Sequence, residues 1–198
     1  MEIILASKSP RRREILENTK VRFSIKDSKI DEVIVENEPP TETVMRLAYE
    51  KALNVAIDNK DALVIGADTI VVINDTILGK PKDEAEAYNM IKLLSGKTHN
   101  VITGFALINL SNNKKVIDYE LSTVTFKELS EQSIKDYIGT KESLDKAGAY
   151  GIQGYGALLV KNIQGDYFNI VGLPISKISD CLKEHFGINL FTEVDLSE

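Results

Sequence analysis

The chain has 198 residues, 43% of them hydrophobic and 27% charged, enough for a self-sufficient core and too apolar for wholesale disorder. With 24 Lys and Arg against 30 Asp and Glu the net charge is −6, a poor match to non-specific DNA or RNA binding, which needs a basic surface. No apolar run approaches the ~18 residues of a membrane span.

The first residues read MEIILASKSPRRR. The apolar stretch is too short for a secretory leader, and its basic residues follow rather than precede it, so a reducing cytoplasm is the expected location. Residues 2–6 predict a short buried strand. Ser9 and Pro10 are an N-cap and first helical position, opening a helix to about residue 18. Residues 21–25 are β-like, and 27–40 form an acidic loop ending in Pro39-Pro40. A helix follows over 41–58. Residues 63–67 and 70–73 predict two strands, with a turn at Asn74-Asp75. A helix over 83–95 is capped by Asp83 and stopped by Gly96.

Residues 99–110 and 115–126 read as long strands paired around Ser111-Asn112-Asn113. Ser130 caps a helix to about residue 138, with Leu129 and Ile134 as a hydrophobic staple and Gly139 as its stop. Residues 145–156 are Gly-rich, and 157–163 and 167–171 are β-like. Pro174 opens a last helix that Gly187 ends. Cys181, three residues after Ile178, reads as a small buried hydrophobe. Strands and helices interleave around a mid-chain hairpin, which predicts an α/β fold with a mixed sheet in a single domain over 1–198.

The one cysteine leaves no internal disulfide or Cys-rich zinc site, and His99 and His185 lack zinc-protease spacing. A metal at work here would be a hard ion on oxygen ligands, Mg²⁺ or Mn²⁺.

Several features bear on chemistry. Ser7-Lys8-Ser9-Pro10-Arg11-Arg12-Arg13 places cations on the first turn of a helix, where the backbone N–H groups already carry positive charge. Either an anion such as phosphate sits there, or the arginines form a solvated basic face. Asp68 is the only charged group in LVIGADTIVVI. A carboxylate in so apolar a run is costly unless paired or metal-bound, and the end of a strand is where α/β sheets bind ligands. The alternative is an Asp that turns the chain between two strands, with Thr69 an ordinary β-branched residue. Lys51 lies at the edge of the apolar arc formed by Val44, Leu47, Ala48, Ala52 and Val55. It either snorkels to water or delivers a cation to a cleft. Lys80, between Gly79 and Pro81, can face a phosphate, although Leu78-Gly79-Lys80-Pro81 is no Walker A loop. Asp31-Glu32 is either a solvated acidic pair or a source of a metal ligand.

Gly151, Gly154 and Gly156 do not form G-x-G-x-x-G, so dinucleotide binding is disfavoured. Gln153 among them is a loop residue or a base reader. Its amide offers the acceptor and donors that match the N3–H and carbonyl of uracil or thymine.

Taken in order, these pieces resemble the Maf family of nucleoside triphosphate pyrophosphatases. The matching runs are Leu5-Ala6-Ser7-x-Ser9-Pro10-Arg11-Arg12, Gly66-Ala67-Asp68-Thr69, Leu78-Gly79-Lys80-Pro81 and Leu94-Ser95-Gly96. They continue with His99-x-Val101-x-Thr103-Gly104, then Asp145 through Gly154 (DKAGAYGIQG), then Gly165 through Pro174 (GDYFNIVGLP). Lys141-Glu142-Ser143-Leu144-Asp145 departs from the family, which often has Glu-Pro there, and residues 188–198 lie beyond the motifs.

The resemblance implies hydrolysis of a nucleoside triphosphate to monophosphate and pyrophosphate with a divalent cation. It implies an elongated, twisted mixed sheet with flanking helices and two lobes around a central cleft, like the inosine triphosphate pyrophosphatases. It makes Asp68 the proton acceptor for the attacking water. It places Ser7, Arg12, Glu32, Lys51 and Lys80 at the phosphates, the metal or catalysis, with Glu32 and Asp68 toward the metal. Arg11, Thr69 and Gln153 fall at the positions of base choice, with Gln153 pointing to the dTTP/UTP branch. A homodimer is implied, with no nucleic-acid polymer and no membrane as partner. The competing readings are a nucleotide-binding regulator of cell division without significant turnover, and a related pyrophosphatase for purine or modified bases.

Overall fold

The computed structural model describes residues 1–192; residues 193–198 of the segment beyond the motifs lie outside them. The strands are β1 (Ile3–Leu5), β2 (Ser24–Ile25), β3 (Leu63–Ile73), β4 (Thr76–Leu78), β5 (Thr98–Asn109), β6 (Lys114–Phe126) and β7 (Val160–Gln164). The helices are α1 (Pro10–Glu17), α2 (Pro40–Ala56), α3 (Glu84–Leu94), α4 (Glu131–Gly139), α5 (Tyr167–Val171) and α6 (Ile175–Cys181). The strands form one mixed sheet in the order β2-β1-β3-β5-β6-β7, with β4 on β3. β1 runs parallel to β2 and β3, whereas β4 is antiparallel to β3 and β7 to β6. This is the mixed α/β class that the interleaved pattern predicts.

The chain divides into two compact units. The first comprises Met1–Asp68, Thr103–Glu120 and the chain from Gly172; the second comprises Thr69–Ile102 and Leu121–Val171. In the first, Ala48, Ala52 and Val55 of α2 pack with Ile4, Val64 and Ala106. In the second, Ile91 and Leu94 of α3 and Ile134 and Tyr137 of α4 pack around Val71, Val124 and Phe126. No helix among the described residues is long and apolar enough to cross a membrane.

The caps are where the sequence puts them. Ser9, Asp83 and Ser130 accept the backbone N–H of Arg12, Glu86 and Ser133, satisfying donors that a helix start leaves open. Leu129 packs on the cluster that holds Ile134. Asn74 and Asp75 both take positive φ in the tight turn from β3 to β4.

Other expectations need correction. Residues 63–73 form one unbroken strand, so Asp68 stands mid-strand rather than in a turn or at a strand end. Residues 167–171 are the helix α5 rather than a strand, because side chains override a β-prone run: Asp166 Oδ1 accepts the Phe168 N–H, and Asn169 donates to the Val101 carbonyl. Only Ser24–Ile25 of 21–25 is a strand. Residues 154–159 are a 3₁₀ segment, so β7 starts at Val160. Gly139 is the last residue of α4, and Lys141 supplies the left-handed φ of 65°. Cys181 is half-buried rather than buried.

Candidate active site

In the first unit the site grows from two neighbouring elements, β3 and α2. Asp68 is 7% exposed in the middle of β3. The strand accommodates its carboxylate because Lys51 Nζ donates to Oδ1 at 2.6 Å. Lys51 is itself 6% exposed, so it does not snorkel. Its second partner is Glu32 Oε1 at 2.7 Å, from the acidic loop. One buried ammonium thus bridges two carboxylates that lie 36 positions apart in the chain. Isolated burial of Lys51 or of Asp68 would cost several kcal/mol; their pairing offsets this, and Glu32 joins from the exposed side.

Arg12, on the first turn of α1, joins the same group. Its Nε donates to the Gly172 carbonyl at 2.7 Å, and its Nη1 lies 3.5 Å from Ser7 Oγ. Burial lowers the basicity of this guanidinium, while Asp68 and then Glu32 act in the opposite direction and Arg11 adds to the lowering. Ser7, buried at the end of β1, also accepts the Ser9 N–H at 3.2 Å. The electrostatic conflict at this helix start is partly resolved within the chain. Lys8 pairs with Asp27 at 2.7 Å and Arg13 with Glu17 at 2.6 Å, both at the surface. Arg12 turns inward, and Arg11 is half-buried.

The acidic loop is fastened from α2. Arg46 of α2 grips Glu38 through Nε and Nη2 at 2.8 and 2.7 Å, and its Nη2 also donates to the Val33 carbonyl at 2.9 Å. Glu38 is drawn below the usual carboxylate range, first by its hydrogen bond from Arg46. This clasp holds the chain next to Glu32.

The second unit holds Thr69, Lys80 and Gln153. Thr69 is half-buried on β3, and Lys80 is exposed after Gly79, whose carbonyl accepts the Gly148 N–H at 3.0 Å. Gln153 is half-buried and extended (φ −92°, ψ 162°) just before Gly154 at φ +65°. The turn after Gln153 is built on Glu142, whose Oε2 accepts the Tyr155 N–H at 3.1 Å. A Cβ on Gly154 would stand 2.6 Å from Glu142 Oε1. So Ser7, Arg12, Glu32, Lys51 and Asp68 come together in the first unit, whereas Thr69, Lys80 and Gln153 belong to the second.

Among the described residues no group of three or more His, Cys, Asp and Glu converges as a metal cage. The Glu32 and Asp68 oxygens, facing one nitrogen at 2.7 and 2.6 Å, are nevertheless a hard-oxygen pair. Such a pair fits Mg²⁺ or Mn²⁺, which commonly take one or two carboxylates and complete the shell with phosphate oxygens and water.

Three known proteins resemble the chain over nearly its whole length. The dTTP/UTP pyrophosphatase of Clostridioides difficile (strain 630) is 65% identical over 191 residues, covering 96% of this chain and 98% of that one. That of Alkaliphilus oremlandii (strain OhILAs) is 54% identical over 192 residues, covering 96% and 98%. That of Caldanaerobacter subterraneus subsp. tengcongensis is 52% identical over 189 residues, covering 95% and 91%. Among solved structures, a HAM1 protein from Coxiella burnetii overlaps 64% of this chain and 73% of its own at 15% identity, with a TM-score of 0.43, a likeness too partial to define the fold. The family model described as Maf-like protein matches residues 2–185, and the chain is therefore a member of the Maf-like protein family.

Proposed function

We propose that this chain is a nucleoside triphosphate pyrophosphatase that hydrolyses dTTP and UTP to the monophosphate and pyrophosphate. The observation that carries the reading is the buried Asp68 carboxylate fixed by Lys51 beside Arg12, in a chain that aligns nearly end to end with relatives bearing that activity in their names.

The reaction needs a water aimed at the α-phosphorus and compensation for the charge that collects on the phosphate oxygens. Asp68 accepts the proton of the attacking water; the new bond joins the water oxygen to the α-phosphorus, and the α–β bridge breaks to release pyrophosphate. Lys51 holds the carboxylate in one direction, so little reorganisation is needed when the water arrives. Arg12, Arg11 and Ser7 take phosphate oxygens, and Lys80 adds a further cation. Glu32 and Asp68 would hold a Mg²⁺ or Mn²⁺, which when bound neutralises phosphate charge as a Lewis acid. Gln153 pairs its amide with the N3–H and carbonyl of a uracil or thymine edge, and Thr69 takes part in the choice of base.

The test is to incubate the protein with dTTP, UTP, CTP, ITP and 7-methyl-GTP, each with Mg²⁺ or Mn²⁺, and to resolve the products. The reading expects dTMP and UMP with pyrophosphate, and an Asp68→Asn protein that binds nucleotide without turnover. Diphosphates with free phosphate would place the attack on the γ-phosphorus and overturn the assigned reaction. An active Asn variant would remove Asp68 from the role of base.

A further inference from the structure

His99 and Tyr150 belong to the sequence motifs but have no part in the chemistry above. Their rings form, with Phe126, a cluster of three edge-to-face contacts with centroids 4.7 to 5.4 Å apart. Inside it His99 Nε2 and the Tyr150 hydroxyl are 2.7 Å apart. His99 is 2% exposed and Tyr150 5%, so neither side chain can reach a nucleotide in solution. Burial holds the imidazole neutral, with its pKa lowered to about 4. The other ring nitrogen, Nδ1, has no hydrogen-bond partner among the described residues. Two phenylalanines would fill the same space without that desolvation cost. What the polar pair adds is direction: edge-to-face rings alone can rotate and slide, whereas a hydrogen bond fixes one orientation.

That fixed point lies three residues before Gln153. Immediately before it, Ala149 holds a left-handed φ of 62°, unusual for a residue with a side chain, and its carbonyl accepts the Tyr137 hydroxyl at 3.2 Å. After Gln153 the chain is tied to Glu142 through the Tyr155 N–H. It then returns so close that a Cβ on Gly156 would stand 2.0 Å from the Gly151 carbonyl oxygen. The Gln153 backbone is thus pinned on both sides, and the His99–Tyr150 bond is one of the pins on the N-terminal side, three residues before it.

We propose that His99 and Tyr150 are positioning residues for base selection, holding the 151–153 segment so that the Gln153 amide meets a pyrimidine edge in one register. The inference rests on the base-reading role given to Gln153 above. Uracil and cytosine differ at the N3 and C4 edge that an amide reads, so the ratio of kcat/KM for UTP over CTP is the sensitive quantity. A structural role alone would move stability and leave that ratio in place.

The experiment measures kcat and KM for UTP, dTTP and CTP in the wild type, Tyr150→Phe, His99→Phe, Gln153→Ala and the double variant Tyr150→Phe/Gln153→Ala, with thermal unfolding of each. Tyr150→Phe keeps the ring and removes only the hydroxyl, and is expected to cut the UTP/CTP ratio about fivefold or more, mainly through KM. His99→Phe should give the same loss. In the Gln153→Ala background, Tyr150→Phe should change the ratio by less than about twofold, because the residue it positions is gone. A wild-type ratio in both Tyr150→Phe and His99→Phe, or an equal fall with and without Gln153, overturns the proposal while leaving the pyrophosphatase reading intact. A wild-type protein that does not prefer UTP to CTP removes the base-reading role itself, and the proposal falls with it.

Discussion

Gly66 lies directly against the backbone of α2: a Cβ on it would stand 2.3 Å from the Ala48 carbonyl oxygen and 2.8 Å from the Ala52 nitrogen. Gly104 on β5 does the same at Val44, at 2.4 Å from its carbonyl carbon and oxygen. Without side chains at these two points the helix rests on the strands themselves, and Lys51 is brought within 2.6 Å of Asp68. The substitution Gly66→Ala must therefore displace α2. It should lower stability by about 2–3 kcal/mol, in the upper range for overpacking. A displacement near 1 Å at Lys51 should also cut kcat by about a hundredfold. Urea unfolding and steady-state kinetics on dTTP check both.

Lys51→Met leaves Asp68 buried without its nearest counter-charge. The expected loss of stability is about 3 kcal/mol, the lower end for breaking a buried pair because Arg12 remains as a counter-charge to Asp68. Adding Asp68→Asn removes the stranded charge and should restore more than half of that loss without restoring turnover. Chemical unfolding of the single and double variants decides this.

The buried imidazole of His99 gives acid sensitivity with a definite sign. Its pKa is lowered from 6.5 to about 4, so between those values the unfolded chain binds a proton that the folded protein refuses. Its contribution is complete above pH 6.5 and is lost as the pH falls toward 4, by at most about 3 kcal/mol. In His99→Gln the stability curve should be flatter over that interval, and wild type and variant should run parallel above it. Unfolding measured from pH 4 to 7.5 tests the difference.

Ser143 stands where the family often has proline, and its buried hydroxyl has no hydrogen-bond partner among the described residues. Ser143→Ala removes an unsatisfied polar group at little cost in packing. It should raise stability by about 1 kcal/mol with kcat and KM unchanged, read by thermal unfolding and dTTP hydrolysis.

The parts of this molecule that local chemistry decides were legible in its sequence. Ser9, Asp83 and Ser130 begin helices because each side chain reaches a backbone N–H three residues on. Asp68 stood out as the lone charge in an apolar run, but its neighbours suggested a turn. Nothing nearby reveals that Lys51, 17 positions earlier, lets the strand continue through it. The β-prone run at 167–171 became a helix through Asn169, whose amide is anchored 68 positions away at Val101. Arg46 and Glu142 escaped notice as site-supporting residues because an exposed-looking Arg on a helix and a Glu in a turn acquire meaning only through the loops they hold.

The cluster of Arg12, Lys51, Glu32 and Asp68 contains two cations and two carboxylates, so it is electrically neutral as a whole. A neutral quartet casts little field beyond the ~8 Å Debye length of physiological salt. What an approaching nucleotide feels from farther away is the chain's overall charge of −6. Encounter with a polyanionic triphosphate is thus resisted rather than steered. Nucleotide capture, followed by stopped flow at fixed divalent-cation concentration, should then quicken as monovalent salt is raised, the reverse of a protein that attracts its ligand through a basic surface.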